Sequence, residues 1–499
     1  MDFLTFFGND FKVVMPELYL FTACLFLLSY GVIFSTSKSL NYPIIQLNVG
    51  WLSIFSLGIT LSLLISSPVV TMSVFNNLLI VDAFSTFSKI LIVSSTLVCC
   101  LMSMSYLNNK KVNSFEYFIL ILLACLGMVC LVSTNDLLAL YMSIELMSLS
   151  FYVLAAYKRS SEFSGEAGLK YFILGAFSSG LLLFGTSMIY GFTGLTNFEE
   201  ISKVVTGING VTDVVTYNGI IIGLLFVAVA LLFKIGAAPF HMWAPDVYEG
   251  APTPVTAFFS IVPKIAIMAL LLRLFYSTFY DFASLWQPIF LYTGVLSMLI
   301  GSIGALYQKK IKRLMAYSGI ANVGYMLIGF SAGTVESMSG LIIYLIIYVV
   351  MMVAFFSFVL GTQTEKDAKL NMHVSDLSNL GKVNPVLAMS VTFILFSMVG
   401  LPPFAGFFGK MYLFLAVMQS ELYTVAIIGV LSSVVAAFYY IRIIKVMFFG
   451  TSNHYVTYKQ MDKLNALVLS SSLFFLIFFF AYPTPFLLCA HKVSLGLLL

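Results

Sequence analysis

The chain has 499 residues, of which 60% are hydrophobic and 9% charged. Soluble proteins carry about 25% charged residues, so a water-soluble enzyme and a disordered chain are both excluded. The net charge is +4 with no dense basic patch, which argues against nucleic acid as a partner. Lipid is the expected solvent for most of the molecule.

In chain order, apolar stretches recur near residues 17–34, 44–66, 81–106, 115–133, 136–157, 167–193, 219–249, 254–276, 288–307, 312–331, 338–361, 386–419, 421–448 and 464–489. A helix needs about 20 apolar residues to cross the hydrocarbon, so these read as about fourteen spanning segments, numbered 1 to 14. The expected fold class is an all-α polytopic membrane protein, with residues 1–499 in one transmembrane domain. Within it stand three N-terminal helices (1–110), two five-helix groups (115–276 and 288–448) and a C-terminal helix (464–489). Lysine and arginine mark orientation. Sixteen fall after odd-numbered segments and three, Lys12, Lys203 and Lys492, on the other side. The odd connections are therefore expected on the matrix or cytoplasmic side, with both termini opposite.

The six cysteines lie in apolar runs without a C-x-x-C pair, and His241, His373, His454 and His491 are scattered. Neither set has the spacing of a zinc, iron–sulfur or haem site. No cofactor or metal is expected on this chain.

Two segments are too long. As straight helices, 219–249 and 386–419 would reach about 46 and 51 Å, against a hydrocarbon core of about 30 Å. Each contains the same G-x-x-P-F interruption, Gly236 to Phe240 and Gly400 to Phe404. Proline removes a donor and clashes with the preceding turn. Segments 7 and 12 are thus predicted to be discontinuous, broken at Gly236 and Pro239 and at Gly400 and Pro403. Matching breaks in two halves point to a transport site near the midplane. They lie five helices apart, which predicts two inverted five-helix repeats, helices 4–8 and 9–13.

Charged residues deep in apolar segments cost about 2.5–3.5 kcal/mol each on insertion scales, so they mark candidate chemistry. Glu145 sits mid-segment in YMSIELMSLS. Lys234 precedes the break at Gly236, beside carbonyls freed by it, and is the natural partner for Glu145. Lys264 follows Pro263 in segment 8, and Lys410 lies on the second half of segment 12. Opposite charges 4 Å apart interact by about 4 kcal/mol at an effective dielectric of 20, so making or breaking a Glu145–Lys234 pair would load or release a proton. Secondary candidates are Glu166 and Lys170, an i, i+4 pair that is either helix-stabilising or part of a proton path, and His241, with Asp246, near a water exit. Asp136 reads as a helix cap and Asp82 with Lys89 as an interfacial pair. Topology and lipid headgroups account for the basic cluster Lys309 to Arg313.

The stretches KIGAAPFHMWAPDVYEGAPTPVTAF (234–258), EAGLKYFILGAFSSG (166–180), KRLMAYSGIANVGY (312–325) and GLPPFAGFFGK (400–410) resemble the antiporter-like subunits of respiratory complex I. The resemblance covers about residues 17–450. It implies a proton channel whose axis is Glu145, Lys234, Lys264 and Lys410, the residues already singled out. It also implies that NADH, flavin, iron–sulfur clusters and quinone belong to other subunits. The implied partners are further membrane-arm subunits, antiporter-like ones included, and phospholipids, cardiolipin among them. The implied location is the mitochondrial inner membrane with termini toward the intermembrane space, or a bacterial plasma membrane with periplasmic termini. A subunit of a cation/proton antiporter or of a membrane-bound hydrogenase is the alternative. One departure stands out: Asn322 occupies a position where many relatives carry histidine, and asparagine does not titrate near neutral pH.

Overall fold

The structure, a computed structural model, describes residues 8–35, 45–67, 71–109, 114–208, 214–362, 373–378, 380–450 and 460–498. Lys38, Lys110, Lys111, Lys366, Lys369, His454 and Lys459 lie outside the described residues. The principal helices are α1 (Met15–Ser35), α2 (Ile45–Ser66), α3 (Ala83–Asn109), α4 (Glu116–Ser133), α5 (Leu137–Ala155) and α6 (Glu162–Thr193). They continue with α7a (Val214–Ile235), α7b (Trp243–Gly250), α8 (Thr253–Arg273), α9 (Ala283–Leu306), α10 (Ile311–Ser331) and α11 (Val335–Gly361). The last are α12a (Pro385–Val399), α12b (Ala405–Gln419), α13 (Tyr423–Phe449), α14a (Lys463–Phe478) and α14b (Thr484–Leu498). Among the described residues, twelve helices are long and apolar enough to cross a membrane, and α12a, α12b and α14a are shorter apolar helices.

Most of these helices are apolar all round, as a membrane requires. What distinguishes them is burial. Every residue of α8 is buried, and α10 and α11 are buried over nearly their whole length. By contrast α6 turns Phe163, Leu169, Phe172, Ile173 and Phe177 outward, the face expected of a helix against lipid. The core is therefore a column of α8, α10 and α11 wrapped by the rest.

Short pairings tie the connections into two faces. On one, Leu79 bridges Thr134 and Asp136 bridges Asn197. An antiparallel hairpin of Met72–Val74 and Leu79–Val81 stands there, and Asp10 accepts from the Phe75 backbone N–H at 3.1 Å. Gly496 and Leu497 line a cavity of about 750 Å³ beside Thr71 and Asn135. Both described chain ends thus share the face of the even-numbered connections. On the opposite face Lys310 bridges His373, joining the connections after α9 and α11.

Two elements differ from the sequence expectation. The single C-terminal helix over 464–489 is two helices, because Pro483 has no N–H to continue the ladder; its carbonyl instead accepts from Phe486 and Leu487 to start α14b. The polar stretch after α6 contains an amphipathic helix, Phe198–Ile208, with Phe198, Ile201 and Val205 buried.

Candidate functional site: two broken helices and a row of buried charges

Both predicted interruptions are present and are built alike. Gly236 has φ +81° and Gly400 φ +91°, a left-handed conformation that glycine adopts without steric cost. At the first break Gly236 N–H reaches the Phe233 carbonyl and Ala237 N–H the Leu232 carbonyl; at the second Gly400 reaches Ser397 and Leu401 reaches Phe396. These are paired Schellman caps. Each break then contains a cis proline, Pro239 and Pro403. Buried backbone groups left over must find partners. Ser297 of α9 accepts from Ala238 N–H at 2.7 Å, and Trp243 Nε1 donates to the Phe233 carbonyl at 2.9 Å.

The open carbonyl ends of α7a and α12a carry partial negative charge, and each is met by an ammonium. Lys264 Nζ donates to the Ile235 carbonyl and lies 5.9 Å from the Trp243 ring centroid. Lys410 Nζ donates to the Val399 and Met398 carbonyls at 2.8 and 3.1 Å and lies 5.2 Å from the Tyr325 ring. Lys264 and Lys410 are 4% and 7% exposed. Charged hydrogen bonds of this kind contribute about 1.5–3 kcal/mol each.

The freed carbonyls were expected to hold Lys234, but Lys264 takes that of Ile235. Nor does Lys234 form an ion pair with Glu145. Its Nζ instead donates to the Tyr152 hydroxyl at 3.4 Å. Glu145 is half-buried; its Oε2 is 3.5 Å from the Ser148 hydroxyl, and its buried Oε1 has no partner. Ser148 also faces the Tyr152 hydroxyl. Residues 145, 148 and 152 share one face of α5, so two hydroxyls bridge the carboxylate and the lysine. His241 lies in the first break, 6% exposed, with its Nδ1 unpartnered.

Glu166 and Lys170 sit on the face of the odd-numbered connections rather than in the row. Lys170 joins Glu166 at 2.7 Å and Asp246 at 2.9 Å. Arg313 reaches Glu249 at 3.2 Å, and Lys310 also pairs with Glu249. Glu249 and Asp246 therefore engage the basic cluster that topology and lipid alone had explained.

Asp82 and Lys89 do not pair with each other. Arg273 of α8 holds Asp82 through Nη2, at 3.0 and 2.8 Å to the two carboxylate oxygens. Lys89 pairs with Glu17 of α1 at 2.5 Å. All four are buried. Asp136 caps α5, accepting from Leu138 N–H at 2.7 Å. The sequence reading passed over a group of buried tyrosines, Tyr325, Tyr344 and Tyr348, between Lys264 and Lys410. Asn322 accepts from Tyr344 at 3.0 Å.

Among the described residues, no group of three or more His, Cys, Asp or Glu stands close enough to hold a metal ion. The arrangement can accept, hold and pass protons at buried amines, a carboxylate and hydroxyls.

Comparison with known proteins places this architecture. Residues 134–436 match the family described as NADH:quinone oxidoreductase/Mrp antiporter, transmembrane. The chain is 49% identical to NADH-ubiquinone oxidoreductase chain 2 of Marchantia polymorpha, over 99% of this chain and 100% of that one. It is 43% identical to NADH-quinone oxidoreductase subunit N of Parvibaculum lavamentivorans, over 98% of each. A chain in the structure of respiratory complex I from Thermus thermophilus superposes with TM-score 0.77 at 26% identity, covering 95% of this chain and 98% of that one. With its broken helices and buried lysines, this chain belongs to the NADH:quinone oxidoreductase/Mrp antiporter family of membrane proteins.

Proposed function

We propose that this chain is the antiporter-like, proton-translocating membrane subunit of an NADH:quinone oxidoreductase, and that protons move along Glu145, Lys234, Lys264 and Lys410. The observation that carries the proposal is the pair of buried ammonium groups, each seated on the open carbonyl end of a broken helix. A scaffold has no reason to bear the cost of such groups at membrane depth. A charge change at Glu145 reaches Lys234 through Ser148 and Tyr152, and Lys264 sits on the carbonyl of Ile235, the residue after Lys234. Lys264 and Lys410 each hold a proton while the carbonyl cap is intact and give it up when a neighbouring charge or a movement of the break weakens that cap.

In this reading the redox chemistry belongs to other subunits, and this chain has no redox centre of its own. The half-exposed face of α5 that bears Glu145 is where another membrane-arm subunit packs, since a carboxylate at that depth needs cover from lipid. The chain makes fourteen passes, counting α7a–α7b, α12a–α12b and α14a–α14b as one each, with inverted repeats at helices 4–8 and 9–13. Both termini face the intermembrane space of mitochondria, or the periplasm in a bacterial setting, and phospholipids including cardiolipin surround the bundle.

Native electrophoresis of mildly solubilised membranes tests membership directly. The chain, located by mass spectrometry, is expected in a large assembly that stains for NADH dehydrogenase activity. Its recovery in a smaller assembly without that activity would favour a cation/proton antiporter instead.

A further inference from the structure

We propose that a cavity between Lys158, Lys312 and Phe163, on the face of the odd-numbered connections, binds the phosphate of one anionic phospholipid whose acyl chains lie along α6. The site stands apart from the lysine row.

The cavity lies where the connections after α5, α9 and α11 meet. It holds about 240 Å³, and Lys158, Ser161, Phe163, Lys310, Lys312 and His373 line it. Lys158 follows the end of α5, Ser161 and Phe163 open α6, and Lys310 and Lys312 open α10. Ends of spanning helices mark the membrane surface, so these side chains stand at the depth of lipid headgroups.

Its charge is unbalanced. Three lysines line it against one carboxylate, Glu249. Glu249 is already held by Lys310, and by Arg313 at 3.2 Å. Lys158 and Lys312 remain, and neither pairs with a carboxylate among the described residues. Lys312 Nζ donates to the Ala251 carbonyl at 2.7 Å, and an ammonium has three donors. Glu249 attracts Lys312, whereas Lys158 and Lys310 both repel it. A cleft lined by one sign of charge concentrates counter-ions, and lysine binds phosphate as a point charge. The Ser161 hydroxyl supplies a further donor.

The apolar wall identifies the source of the phosphate. Phe163 is 69% exposed and heads an outward stripe that continues through Ile173, Phe177 and Phe184. These residues share one face of α6, so the cavity opens at the head of a track for acyl chains. Free phosphate has no use for such a track. A phospholipid uses both parts: its phosphate neutralises the lysines and its chains cover the stripe. The preference for lysine on one side of a membrane explains the sign of the charge, but not a cavity with an apolar outlet. Basic pockets between membrane helices on that side suit anionic headgroups. A lipid held there ties the end of α5 to the starts of α6 and α10.

The test uses the native assembly that contains this chain, delipidated in mild detergent. It is incubated with phosphatidylglycerol carrying a photoreactive group in one acyl chain, and mass spectrometry of the digest locates the label. Label is expected on α6 between residues 163 and 184. Unlabelled phosphatidylglycerol should displace it, and phosphatidylcholine, which has no net charge, should not. With Lys158→Gln and Lys312→Gln together, the lipid concentration for half-maximal labelling should rise about thirtyfold, from about 1 kcal/mol per lysine at 1.4 kcal/mol per factor of ten. Lys158→Gln alone leaves the Ala251 contact in place and should raise it about fivefold on the same scale. Lys158→Arg with Lys312→Arg keeps both charges and should stay near the parent. Unchanged labelling in the glutamine variants, or equal displacement by phosphatidylcholine, would overturn the site. Displacement by inorganic phosphate would show that the cavity takes free phosphate and would overturn the lipid assignment. Absence of label from α6 in the parent assembly would show that another subunit covers the cavity, which also overturns it.

Discussion

Replacing Gly400 with alanine, beside the same change at Gly236, separates backbone strain from lysine displacement. Both glycines have positive φ, +91° and +81°, and holding a non-glycine residue in such a region costs about 1–3 kcal/mol. The two sites differ in what a new Cβ would meet. At Gly236 the nearest atoms, in Trp243, Ala244 and Lys264, stand 3.6 to 3.8 Å away, ordinary contact. At Gly400 the Cβ would stand 3.0 Å from Lys410 Cδ and 3.5 Å from its Nζ. Lys410 must then give by a few tenths of an ångström, which loosens its hold on the carbonyls at 2.8 and 3.1 Å. Losing one such charged hydrogen bond adds about 2 kcal/mol. Gly236→Ala should therefore lower only the thermal midpoint of the assembled complex. Gly400→Ala should lower it further and also reduce protons translocated per NADH. Thermal inactivation of the native-gel NADH activity reads the first quantity, and dye-reported acidification of sealed vesicles reads the second. Equal effects of the two substitutions on both measurements would refute the assignment of Lys410 as cap and proton carrier.

Two further outcomes follow from the ion pairs. Asp82→Leu or Arg273→Met alone leaves a buried charge uncompensated at a cost of about 3–5 kcal/mol, so assembled complex should be scarce on a native gel. The double variant should recover it, and failure to recover would mean the pair does more than hold α3 to α8. Glu249→Gln removes a partner of Lys310 and Arg313 at a part-exposed site, where such pairs contribute about 0–1 kcal/mol. Its thermal midpoint should stay near the parent value; a drop as large as that of the single Asp82 variant would show that this network is sealed within the assembly.

The positions of the buried charges were legible in the sequence because an ionisable residue inside an apolar run stands out by cost alone. The breaks were legible for a similar reason: segment length exceeded membrane thickness, and the same Gly and Pro spacing marked both. What the sequence withheld was partnership. Asp82, just before α3, and Lys89 within it are seven residues apart, but helical spacing says nothing of the helices opposite, and α1 and α8 supplied Glu17 and Arg273. Lys234 adjoins the first break in sequence, yet the caps are made by Lys264, 29 residues beyond the Ile235 carbonyl, and by Lys410. The split of the last helix could have been read from Pro483, and the shared face of Tyr344 and Tyr348 from their four-residue spacing in an apolar run.

We propose above all that the buried lysines move protons. The most direct test is the ratio of protons translocated to NADH oxidised in sealed vesicles carrying Lys234→Ala, Lys264→Ala or Lys410→Ala. Each variant complex is expected to assemble, and the ratio to fall. An unchanged ratio in fully assembled complexes would contradict it and leave the chain a scaffold.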